Sequence, residues 1–98
     1  MAVKLSQLIY FKTVAETGKM SIAAKKLYVS PPALSIAIAN LEEELGVQLF
    51  DRKNKKITLN AQGKAYLLRV NQILDDLSSA NREILSMALD DENTVDVV

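Results

Sequence analysis

A mainly α-helical fold, three short helices with a small β-hairpin and then one long helix, is what this chain of 98 residues predicts. Three observations carry that expectation. Residues suited to helix starts and stops stand at intervals, at Gly18, Ser21, Ser30-Pro31, Gly46 and Asn60. One stretch breaks the helical spacing: Leu49-Phe50 and Ile57-Thr58-Leu59 are two β-favouring runs either side of a basic turn. Beyond Asn60, apolar residues recur at three- and four-residue steps to about Leu89.

The first helix is marked by Leu5, Leu8 and Phe11, with Val14 and Ala15, and Gly18 ends it. An aromatic at helical spacing reads as packing, so Phe11 is assigned to the core. The stretch from about 20 to 39 reads as two helices joined by a tight turn. Ser21 is expected to cap the first of them, because its hydroxyl can accept from an unpaired backbone N–H of the first turn. Ser30 repeats the device, with Pro31 at the first helical position, where a missing N–H is harmless. That second helix is expected to run to Gly46. Ala23, Ala24 and Leu27 on one helix face Leu34, Ile38, Leu41 and Leu45 on the other, and the small alanines allow close approach. A short turn between two closely crossing helices is the helix-turn-helix arrangement, in which the start of the second helix is offered to the DNA major groove.

The hairpin, about 49–59, turns at Lys53, Asn54 and Lys55, and its position directly after that helix makes it a wing. Arg52, Lys53, Lys55 and Lys56 gather four cations within five residues, suited to backbone phosphates. The charge of the whole chain is zero, yet residues 1–60 hold nine basic against five acidic residues and residues 61–98 three against seven. A polyanion partner is therefore expected for the first part alone.

The long helix, 61–89, would be a rod of about 43 Å at ~1.5 Å per residue, more than so small a domain can cover. Leu67, Val70, Leu74, Leu77, Ile84 and Ala88 form its stripe, and Asn81 takes the one seam position that should be apolar. The simplest partner is a second copy, with the polar Asn81 fixing register, while the N-terminal turns around Tyr66 are free to pack on residues 1–60 of the same chain. Residues 90–98 turn to an acidic linker, and Val95, Val97 and Val98 read as the start of a strand with nothing to pair with, as at the end of a fragment.

Composition narrows the chemistry. Without cysteine or histidine the chain has no disulfide, no thiolate metal site and no imidazole base, and no metal or other cofactor is expected in this segment. Glu42-Glu43-Glu44 are sequential neighbours fanning around a helix with no nucleophile or phosphate loop beside them, so no enzyme is expected. No apolar run approaches the ~18 residues of a membrane span, and nothing resembles a signal peptide, so the expected setting is the cytoplasm.

Phe11, Ala23-Ala24, Leu27, Ser30, Pro32, Ser35, Ile38, Leu41-Glu42, Leu45-Gly46, Leu49-Phe50, Arg52, Leu59 and Gly63 stand as in the LysR-type transcriptional regulators, without a gap from residue 3 to about 65. The resemblance implies a bacterial winged helix-turn-helix over 3–60, a linker helix pairing two subunits, and an effector-binding domain beginning where Val95 to Val98 stand. It also implies a small-molecule effector for that further domain. The departures fall on the reading surface: Pro31 stands where the family often has glutamine, and Ile36-Ala37 where it often has a basic or amide pair. Glutamine and arginine read base edges by paired hydrogen bonds; proline, isoleucine and alanine do not. What is left is apolar contact with thymine methyls from Pro31, Pro32, Ala33 and Ile36, hydroxyl bonds from Ser30 and Ser35, and phosphate contacts from Ser21, Lys25 and the wing cations. A homodimer or higher oligomer on A·T-rich inverted half-sites of duplex DNA is expected, with a large share of shape readout. The competing function is a winged-helix protein-interaction module without specific DNA readout, to which the confinement of positive charge to the first part is foreign.

Overall fold

The structure, a computed structural model, describes residues 2–54 and 56–97, with side chains to residue 90. Its elements run α1 (Leu5–Thr17), α2 (Met20–Leu27), α3 (Pro31–Leu45), β1 (Phe50–Lys53), β2 (Lys56–Leu59) and α4 (Ala61–Val97). The three short helices and the hairpin pack around one core, and α4 crosses that core and then runs on, giving extents of 65 × 25 × 21 Å.

Local chemistry sets most of the boundaries. Gly18 and Gly46 take left-handed φ values of 71° and 74°, closing α1 and α3. Ser30 Oγ accepts from the Ala33 N–H at 3.2 Å, and Asn60 Oδ1 accepts from the Gly63 N–H at 2.8 Å, so α3 and α4 start where a capping side chain satisfies a free amide. Ser21 does not cap α2. The helix begins two residues earlier than expected, with Lys19 at the cap and its carbonyl accepting from the Ala23 N–H at 3.0 Å. The reason lies upstream: Gly18 reverses the chain so sharply that Met20 already enters the helix half-buried, leaving Ser21 exposed inside the first turn.

The core is Leu8, Phe11, Val14, Ala23, Ala24, Leu34, Ile38, Leu41, Leu49, Phe50 and Val70. Phe11 sits at its centre, 5.4 Å from the Phe50 ring and 5.3 Å from Tyr66 in an edge-on arrangement, joining α1, the hairpin and α4. Burial holds the Tyr66 phenol above its ordinary pKa. The hairpin is anchored at its base. Asn60 Nδ2 donates to the Gln48 carbonyl, Glu42 accepts from the Leu49 N–H at 2.7 Å, and the Ile57 N–H donates to the Gly18 carbonyl.

Two expectations about α4 are corrected. It does not stop near Leu89 in favour of a linker and a strand: residues 90–97 continue as helix, because no proline or glycine interrupts them, while Val98 lies outside the described residues. The stripe assigned to a second subunit is also divided. Val70 is fully buried, and Leu67 and Leu74 pack against the same core, so the first half of the stripe is covered by the chain's own α1 and hairpin. Leu77, Asn81, Ile84 and Ala88 continue along the helix past the body and stand exposed.

Candidate nucleic-acid interface

Two elements frame the site. On α3, Leu34, Ile38 and Leu41 are turned inward with no exposed surface, which fixes the rotation of the helix about its axis. That rotation leaves Pro31, Pro32 and Ala33 exposed over the first turn and Ile36, 62% exposed, over the second, with Ser35 half-covered between them. Pro31 and Pro32 carry no N–H, so the end of the helix that faces outward presents apolar ring edges in place of free amides. Ser30 is committed as the cap; its Oγ accepts from Ala33, and its O–H proton is left to donate outward. On α2, Ser21 and Lys25 stand exposed one turn apart on the same side of the helix.

The hairpin splits its cations between two faces. Strand register places Phe50 opposite Leu59, Arg52 opposite Ile57 and Lys53 opposite Lys56. Residues at alternate positions share a face, so Arg52 extends the core-side row that begins at Phe50, while Lys53 and Lys56 face each other on the outer side. Asn54, at φ 54°, makes the turn, and Lys55, which follows it, lies outside the described residues. Like charges directly across a β-ladder repel. Arg52, Lys53 and Lys56 are all exposed, and none of them has a carboxylate partner among the described residues. The arrangement is one that an external anion would relieve.

One exposed residue escaped the sequence reading. Tyr28 occupies the turn between α2 and α3 at φ 58° and is 96% exposed. The signal was faint: a turn that needs a left-handed residue, with no glycine in the stretch to supply it. No group of acidic residues that could hold a metal ion occurs among the described residues, and no helix there is long and apolar enough to cross a membrane.

A two-helix turn whose second helix exposes its start, flanked by a cationic hairpin and followed by a rod, defines a winged helix-turn-helix with an appended helix. A family profile described as bacterial regulatory helix-turn-helix protein, lysR family, matches residues 5–64. The chain belongs to the LysR family. It is 40% identical over 89 residues to YybE of Bacillus subtilis, an uncharacterised HTH-type transcriptional regulator, covering 91% of this chain and 30% of YybE. It is 44% identical over 81 residues to BsdA, an HTH-type transcriptional regulator of the same organism, covering 82% of this chain and 28% of BsdA. The chain thus spans less than a third of the length of these regulators. Among solved structures it is similar to the CbnR_DBD–DNA complex, with a TM-score of 0.82 and 37% identity over 88% of this chain and 99% of that one. The BenM_DBD complex with catB site 1 DNA gives a TM-score of 0.84 and 31% identity over 88% of this chain and 97% of that one.

Proposed function

We propose that this chain is the DNA-binding and dimerising segment of a cytoplasmic transcriptional regulator, with α3 entering the major groove of duplex DNA and the hairpin lying on the backbone beside it. The observation that carries the reading is the outward start of α3 next to three exposed wing cations that form no ion pair among the described residues. Similarity to two domains solved with DNA supports it. Ser21, Lys25, Arg52, Lys53, Lys55 and Lys56 hold phosphates; Ser30 and Ser35 donate hydroxyl bonds; Pro31, Pro32, Ala33 and Ile36 press on thymine methyls. Because the apolar group offers no paired hydrogen bonds to bases, the preferred half-site is A·T-rich and is recognised in good part by shape.

Two copies pair through the outer half of α4, with Leu77, Ile84 and Ala88 at the seam and Asn81 setting register. A two-fold pair of this kind reads inverted half-sites. The small-molecule effector expected of the family would act through parts of the regulators that this chain does not span, and no cofactor is assigned to the segment itself.

Selection of bound sequences from random duplexes, followed by sequencing, tests the reading. Enrichment of an inverted pair of A·T-rich half-sites is expected. No enriched sequence would contradict sequence-specific binding, and a G·C-rich consensus would contradict the proposed readout by Pro31, Ala33 and Ile36.

A further inference from the structure

Tyr28 is held in a conformation that side chains of its size avoid, by the backbone bonds that close α2 and not by any packing of its ring. Its φ of 58° and ψ of 39° lie in the left-handed region. The other residues with φ in this range are Gly18, Gly46 and Asn54, the types that tolerate it among the described residues. The conformation is rigid all the same, because the Tyr28 N–H donates to Lys25 and Ala24 carbonyls and the Val29 N–H donates to the Ala24 carbonyl at 3.1 Å. At 96% exposure the ring buries almost no surface, unlike Phe11 and Phe50, which belong to the core, and Tyr66, which packs against it. An aromatic side chain is thus fixed in the turn that leads into Ser30 and Pro31, just after exposed Lys25 and Lys26.

We infer that Tyr28 is a further DNA contact, its phenol O–H donating to a backbone phosphate and its ring lying on the adjoining deoxyribose. The inference rests on the DNA-binding reading above. Tyrosine hydroxyls are among the ordinary phosphate and sugar contacts of DNA-binding proteins, and such contacts fix orientation without reading sequence. A tyrosine has only two side-chain torsions to freeze, and a left-handed backbone pinned at both ends restricts where the ring can point. Residues that keep strain of this kind cluster at binding sites, where the fixed geometry serves the ligand.

The test compares Tyr28→Phe and Tyr28→Asn with the unchanged chain, using a fluorescein-labelled random-sequence 40-base-pair duplex at low salt, with thermal unfolding measured alongside. Tyr28→Phe is expected to weaken binding about ten- to a hundredfold, the loss of one hydrogen bond to a charged acceptor. The slope of log affinity against log salt should stay the same, because a neutral phenol releases no counterion. Tyr28→Asn is expected to unfold at a higher temperature yet bind more weakly, so that stability and affinity move in opposite directions. Wild-type affinity in Tyr28→Phe overturns the inference while leaving the DNA-binding reading in place. Failure of the unchanged chain to bind the duplex overturns both.

Discussion

At Gly63 the helix and the hairpin come so close that a side chain has no room. A Cβ built there would lie 2.0 Å from the Leu49 carbonyl oxygen and 2.9 Å from Leu59 Cδ2, and the first of these is backbone that cannot swing aside. Gly63→Ala should therefore cost about 3 kcal/mol and lower Tm by roughly 10 °C or more, read by circular dichroism. Tyr66 makes a second prediction at this scale. Burial raises its pKa, so the folded state favours the protonated phenol. That contribution is fully present below the unfolded value of about 10 and is lost as pH rises through the higher folded value. Stability should fall in alkali, and Tyr66→Phe should remove that part of the fall. Single residues were also where the sequence was most readable: Gly18, Ser30, Pro31, Gly46 and Asn60 act through bonds to their near neighbours, so their chemistry can be read without a fold. Ser21 and Tyr28 misled or escaped because their backbone angles follow from how sharply Gly18 and the α2–α3 turn redirect the chain.

Among the elements, α4 shows the limit of reading by periodicity. A three- and four-residue stripe looks the same whether it covers the chain's own core or waits for another chain, and the division falls between Leu74, packed on the core, and Leu77, 39% exposed. Val70→Ala should accordingly destabilise the monomeric body by about 1–3 kcal/mol through the cavity it leaves. Leu77→Asp with Ile84→Asp should leave that body folded and convert a dimer to a monomer in analytical ultracentrifugation. A dimer that survived the double change would place the interface elsewhere. The hairpin was legible in type and position because two β-favouring runs flank the basic turn around Asn54, although Lys53, read as part of the turn, belongs to β1. The opposition of Lys53 and Lys56 was not, since cross-strand register depends on where pairing begins.

Over the whole molecule, charge and shape are arranged along one long axis. The compact body carries the net positive charge of residues 1–60, while the helical rod carries the net negative charge of residues 61–98. α4, with 37 residues at ~1.5 Å each, is about 55 Å long, so its acidic outer part is held well away from any surface that the body touches. The charge asymmetry was legible from composition, whereas the outward placing of Pro31, Pro32, Ala33 and Ile36 beside the cationic hairpin required α3 to be rotated by its buried Leu34, Ile38 and Leu41. The most direct test of the DNA interface is the salt dependence of binding to duplex DNA, for the unchanged chain and for a variant with Arg52, Lys53 and Lys56 all replaced by Ala. Neutralisation of phosphates by the wing predicts a steep fall in affinity with salt for the former. For the latter the slope should be shallower by about 0.9 for each phosphate that the wing no longer neutralises. Equal slopes for the two proteins would contradict it.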